Sequence, residues 1–213
     1  ESSKKYPVNY VLPPGITRVI DPSQALLTQL NEQAILLKVK NLTDGDARAV
    51  FKNTDLDLRQ YKKLRMFVHA EALPDEMLND YEMSAFIRIG SDQLDNYYEY
   101  EVPLKLTPHR TNYNNESDAD REIVWPDENL IEIDLDDLVD IKKERDQAER
   151  DDPFIYSKTK TYKKNKGKNT IKVKGTPNLS NIRTIILGIK NPAQADNQYQ
   201  DDGLSKSAEI WFN

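Results

Sequence analysis

The sequence has no cysteine, two histidines and only seven glycines in 213 residues. Without cysteine there is no disulfide, no thiolate metal site and no thiol nucleophile. With His69 and His109 alone, the usual acid/base and metal-ligand chemistry is thin. No Walker loop, GxSxG, HExxH or dinucleotide fingerprint occurs, and so few glycines leave little room for a phosphate cradle. No apolar run approaches the roughly 18 residues of a membrane helix, and the opening ESSKKYPVNY lacks the apolar core of a signal peptide. A net charge of −6 provides no global positive field for a phosphate backbone, so nucleic acid is not an expected partner. The chain stops on the strand-like AEIWFN without a polar tail, which reads as a segment of a longer protein.

What is present reads as β structure. Hydrophobic residues make up 38% and charged residues 31%, with 11 prolines, enough for one core dressed with long polar loops and hence one domain over residues 1–213. Residues 1–30 carry Pro7, Pro13, Pro14 and Pro22 and read as an extended lead-in, with ITRVI (Ile16 to Ile20) as its one strand. QAILLKVKNL turns through Asp44, Gly45 and Asp46 into ARAVF as a pair of hairpin strands. In LRMFVHA, side-chain alternation puts Leu64, Met66, Val68 and Ala70 on one face and Arg65, Phe67 and His69 on the other. Met83, Ala85, Ile87 and Ile89 should face the core, with Ser84, Phe86 and Arg88 opposite. Tyr98, Tyr100, Val102, Leu104 and Leu106 form a further apolar stripe, leaving Glu99, Glu101 and Lys105 solvated, and Pro103 places that strand near an edge or bulge.

Residues 107–122 show nothing periodic to bury and read as a mobile polar loop. One surface helix follows, Asp136 to about Glu149, capped by Asp134 or Asp136 and packing through its first half alone. Residues 156–169, a second polar loop, hold a run of lysines without an acid; a solvated hairpin is the leading reading and an anion or lipid contact the lesser one. TIKVKG, IRTIILGIK and SAEIWF close the domain. A total of about eight to ten strands and one helix points to a mainly β, two-sheet antiparallel sandwich.

The chemistry-bearing candidates are few. Acidic residues are numerous, but Asp134, Asp136, Asp137 and Asp140 are explained by the helix dipole and no pair stands out as a glycosidase couple, so the chain reads as no enzyme. No cofactor is expected beyond structural calcium, for which Asp44 and Asp46, and less directly Asp201, Asp202 and Glu209, offer hard oxygen ligands near turns. The alternative function is carbohydrate binding to a surface or extracellular glycan. Its candidates are Phe67, His69, Phe86, Arg88, Tyr97, Trp125 and Trp211, the first four forming a platform if their strands are neighbours.

DLDLRQYKKLRMFVHAEA resembles the lead-in and core strand of the galactose-binding-like, jelly-roll sugar-binding superfamily, with SAEIWF as a closing strand. Taken together, NLTDGDARAVF, AFIRIG, NYYEYEVPLKLTP, VWPDENLIEIDL, GTPNLSNIRTIILGIKN and SAEIWFN resemble the SprA (Sov) family, in order, from about Ile16 to Asn213. That resemblance implies a non-enzymatic module of the giant outer-membrane translocon of type IX secretion, a system tied to gliding motility. Its implied partners are the parent barrel, translocon accessory subunits and secreted cargo. The implied place is the cell surface, on the extracellular rather than the periplasmic side. The strands here are shorter than barrel-wall strands and separated by charged loops, so the fragment reads as a folded insertion that does not itself span the membrane. The resemblance transfers no catalytic residue.

Overall fold

A computed structural model describes residues 6–17 and 33–213. Residues 18–20 of the expected strand at Ile16 to Ile20, and much of the lead-in over 1–30, lie outside them. The chain is mainly β with antiparallel sheets. The larger sheet has the order β2 (Ala47–Leu56), β10 (Ile182–Lys190), β5 (Ser84–Gly90), β6 (Tyr97–Pro103), β9 (Asn169–Lys174) and β8 (Tyr162–Lys166). The smaller has the order β1 (Ile35–Leu42), β11 (Lys206–Phe212) and β4 (Val68–Ala72), and a separate ribbon pairs β3 (Lys63–Met66) with β7 (Ile131–Asp134). Two α-helices accompany them, α1 (Asp118–Val124) and α2 (Leu135–Asp151).

Period-two alternation decides the core. Ala85, Ile87 and Ile89 of β5 and Tyr98, Tyr100 and Val102 of β6 meet Val68, Ala70, Ala208, Ile210 and Phe212 of the smaller sheet. Ile131 and Ile133 of β7 and Leu135, Leu138 and Ile141 of α2 extend the same core, with α2 against β9 and β7. Each fully buried side chain of this kind contributes about 2 kcal/mol.

LRMFVHA is broken into β3 and β4 at Phe67, whose backbone N–H and C=O pair with those of Asn213. The expected faces survive the break: Leu64, Met66, Val68 and Ala70 serve the main core, while Phe67 turns to a second cluster. Pro103 does not mark an edge, because β6 is central. It sits at the strand end, beyond the β9 pairing, which stops at Glu101 and Thr170, so its missing donor meets no ladder.

Residues 107–122 are largely exposed, as their polar sequence implies, but hydrogen bonds tie them to the rest of the chain. Asn9 clasps Tyr113 through two hydrogen bonds, its Nδ2 donating to the Tyr113 carbonyl and its Oδ1 accepting from the Tyr113 amide, both at 2.8 Å. Asn115 accepts from the Leu12 amide, and Ser117 caps α1 by accepting from the Asp120 amide. Tyr113, Val124 and Trp125 join Val8, Val11 and Trp211 in a second buried cluster on the smaller sheet. Among the described residues there are thus two α-helices where one was expected. Packing of α2 also runs past its first half, to the fully buried Arg145.

The lysine-rich segment forms the β8–β9 hairpin, and alternation divides its charges. Lys164 and Lys166 reach α2, pairing with Glu144 at 2.5 Å and with Asp137, while Lys158 approaches Glu149. The anion that these lysines contact belongs to the chain itself.

On the outer face of the larger sheet, Gly188 lies beneath the Phe86 ring; a Cβ there would meet Phe86 Cζ at 2.2 Å. Gly188→Ala is expected to destabilise the chain by about 2 kcal/mol through overpacking. Adding Phe86→Leu should recover part of that loss in urea denaturation, and an unchanged double variant would show that the clash is not the cause.

Candidate functional site

The aromatic platform expected of Phe67, His69, Phe86 and Arg88 is not formed. His69 lies on β4 of the smaller sheet, with Phe67 just before that strand, and among the described residues β4 pairs only with β11, whereas Phe86 and Arg88 lie on β5 of the larger sheet, between β10 and β6. His69 stacks on Trp211 with ring centres 3.8 Å apart, and Trp125 stands edge-on to both. All three are sealed from solvent. The Val124 carbonyl lies 2.9 Å from His69 Nδ1, Trp125 Nε1 donates to the Val11 carbonyl, and Trp211 Nε1 donates to Glu209. These side chains hold the 107–125 segment onto the smaller sheet and present no ring to a ligand. His109 lies apart, its Nε2 2.9 Å from the Ala72 carbonyl.

Phe86 and Arg88 enter a different arrangement. Arg88 pairs with Glu99 at 2.6 Å and lies 3.9 Å above the centre of the Tyr97 ring. Lys172 bridges Glu99, at 2.7 Å, and Glu101, and Lys190 approaches Glu101 at 3.3 Å. Glu99 and Glu101, expected in solvent, are buried at 5% and 8% exposure because neighbouring strands supply their counter-ions. Burial alone would raise the Glu101 carboxyl, but Lys172 and Lys190 outweigh it and hold its pKa below 4.5. A depressed folded-state pKa contributes stability that is present above the unfolded value and lost as pH falls through the folded one. Lys172→Met should therefore destabilise by on the order of 3 kcal/mol near neutrality, where it removes the buried cation shared by Glu99 and Glu101 and leaves them to Arg88 and Lys190 alone. The deficit should shrink at about pH 4, as the Glu101 carboxyl protonates; an equal deficit at both pH values in urea denaturation would refute the charge account.

At the other side of the larger sheet, β2 is an edge strand with a solvent-facing pattern along nearly its whole length. Val50, Phe51 and Leu56 are exposed on it, Phe51 at 58%. The Thr43–Asp46 turn leads from β1, the edge of the smaller sheet, where Ile35 and Leu36 are also exposed. Among the described residues, both sheets thus present edges without a further strand on either side of one turn.

The chain matches the SprA_N family, described as motility related/secretion protein, over residues 1–213. It belongs to that family. No curated protein matches it. Membership in a secretion-related family implies protein partners, which directs attention in this SprA_N chain to its surfaces. Among the described residues, no helix is long and apolar enough to cross a membrane, which leaves strands out of account.

The acids considered for calcium have other uses here. Asp44 accepts from the Gln194 amide, and Asp46 accepts from the Thr43 hydroxyl and faces Arg48 at 3.5 Å. Glu209 accepts from the Trp211 indole and lies 3.7 Å from Lys38. Among the described residues, the acids close enough to share a cation are Glu82, Asp201 and Asp202. Sequence reading missed Glu82, which lies far from the other two in the chain.

The buried ammonium of Lys206 stands among these acids, 2.5 Å from Asp202, 3.1 Å from Glu82 and 3.9 Å from Asp201. Burial would lower its pKa, but its bonds to Asp202 and Glu82 prevail and raise it above the ordinary lysine value. The local signal is the four-residue spacing of Asp202 and Lys206. Lys206→Ala should vacate a trio of oxygen ligands and make the melting temperature rise with added calcium. A variant that folds but gains no calcium response would show that the acids do not form a cation site.

Proposed function

We propose that this chain is a non-enzymatic protein-interaction module of the outer-membrane translocon of type IX secretion, on the extracellular side, serving secretion and gliding motility. It needs no cofactor in this reading, and its partners are the parent barrel, accessory subunits or secreted cargo. The observation that carries the interaction role is β2. A long edge strand offers unpaired backbone N–H and C=O groups to an added strand, and neighbouring apolar side chains give that strand something to pack against. Family membership supports the secretion setting. The glycan alternative has lost the shared platform on which it rested.

The test is made in the full-length parent protein. A Val50→Lys, Phe51→Lys double variant should keep the module's fold, since both residues are exposed, and should impair secretion and gliding. Normal secretion and gliding by a folded, surface-assembled double variant would overturn the interaction role. An epitope inserted at Met77, which is 95% exposed, should be labelled by antibody on intact cells. Labelling only after the outer membrane is permeabilised would overturn the extracellular placement.

A further inference from the structure

Beside the β8–β9 hairpin, the outer face of the larger sheet ends in a cleft of about 260 Å³. Lys163, Lys168, Lys172 and Lys190 line it against two carboxylates, Glu101 and Asp196. That is an excess of two positive charges in a chain whose net charge is −6. Lys172 and Lys190 are committed to Glu101. Among the described residues, Lys163 and Lys168 make no ion pair, although Lys164 and Lys166 of the same hairpin are both engaged by α2.

Lys168 occupies the two-residue turn of the hairpin, after Gly167, whose φ of +62° suits glycine. Its ammonium is buried without a hydrogen-bond acceptor, 5.5 Å from the centre of the Tyr81 ring. Burial lowers its pKa against the attraction of Glu128. Tyr81 stacks on Tyr199 of the cleft wall, ring centres 4.7 Å apart, and holds a φ of +68°, which is costly for an aromatic residue. An ammonium without an acceptor is destabilising, and hairpin docking does not call for it, since Lys164 and Lys166 supply the contacts to α2.

We infer that this cleft binds a phosphate group, with Lys163 and Lys168 as its cationic donors. Lysine is suited to the task as a point charge on a flexible stem, and Lys168 meets the anion by turning away from Tyr81. The excess of two charges matches a phosphate dianion. The cleft is smaller than the pockets of drug-sized ligands, so the phosphate is free or carries a small substituent such as one sugar. The inference rests on the cleft geometry and is independent of the role given to β2.

The 213-residue chain is titrated with inorganic phosphate and with glucose 6-phosphate at constant ionic strength, while the amide resonances of Lys163, Thr170 and Lys190 are followed. Saturable shifts are expected with phosphate and not with chloride. Tighter binding of glucose 6-phosphate assigns a sugar phosphate, and equal binding assigns the phosphate group alone. Lys168→Met should raise the melting temperature of the free protein, because it removes an unsatisfied ammonium, and should weaken phosphate binding by about tenfold or more. Lys163→Met should weaken binding with little change in melting temperature, and Lys164→Met, on the helix side of the hairpin, should leave binding unchanged. Absence of a saturable shift overturns the inference, as does an equal response to chloride or unchanged affinity in folded Lys163→Met and Lys168→Met variants.

Discussion

The apolar face shared by β5 and β6 positions every element that bears on function here. Its residues alternate strictly, so Ala85, Ile87, Ile89, Tyr98, Tyr100 and Val102 are buried together and their neighbours must all emerge on the opposite face. The burial is deep enough that the Tyr98 phenol is pushed up to about 12, and its hydroxyl donates to the Pro177 carbonyl. A one-residue slip would carry Arg88 of β5, or Glu99 and Glu101 of β6, into that core, at a heavy desolvation cost. Register is therefore fixed by the inner face, and the outer face inherits its order from it. Register places Arg88 opposite Glu99 and Glu99 opposite Lys172, and the long side chains of Lys172 and Lys190 reach on to Glu101.

The same alternation explains how an acidic chain carries a basic hairpin without simply solvating it. Inner-facing Lys164 and Lys166 find the carboxylates of α2, while outer-facing Lys163 is left over the cleft. The acids at the start of α2 therefore have two uses, complementing the helix dipole and docking the hairpin. Surface pairs of this kind contribute little each in water, so their joint effect is orientation more than stability.

Legibility in the sequence followed the range of the interaction. The faces of LRMFVHA, of the strand at 84–90 and of the strand at 97–103 were readable because alternation is local. Which strands are neighbours was not, so Phe67 and His69 were grouped with Phe86 and Arg88 although β4 and β5 lie on separate sheets. Glu99 and Glu101 look solvated in the sequence because their partner Lys172 is some seventy residues away. The docking of residues 107–125 rests on side chain–backbone clasps such as that of Asn9 on Tyr113, which leave no periodic trace. Trp125 was the available clue, since so large an indole next to a polar stretch needs a burial site.

The edge at β2 has defined limits. At one end stands the Thr43–Asp46 turn, and at the other the register with β10 shifts between Asn53 and Leu56, where β2 takes three steps for two on its neighbour. Such a bulge twists a strand and ends flat pairing. The flat stretch from Ala47 to Asn53 spans roughly 20 Å at strand rise, enough for an added strand of about six residues. Arg48 and Lys52 flank Val50 and Phe51, and charges at an edge discourage indiscriminate pairing while leaving room for a partner that supplies acids at matching positions. Among the described residues, the strand is thus an uncovered edge, bounded at both ends and flanked by charge. Those are the properties a folded module of a secretion protein needs if it is to join a neighbouring chain in one register without aggregating through the same edge.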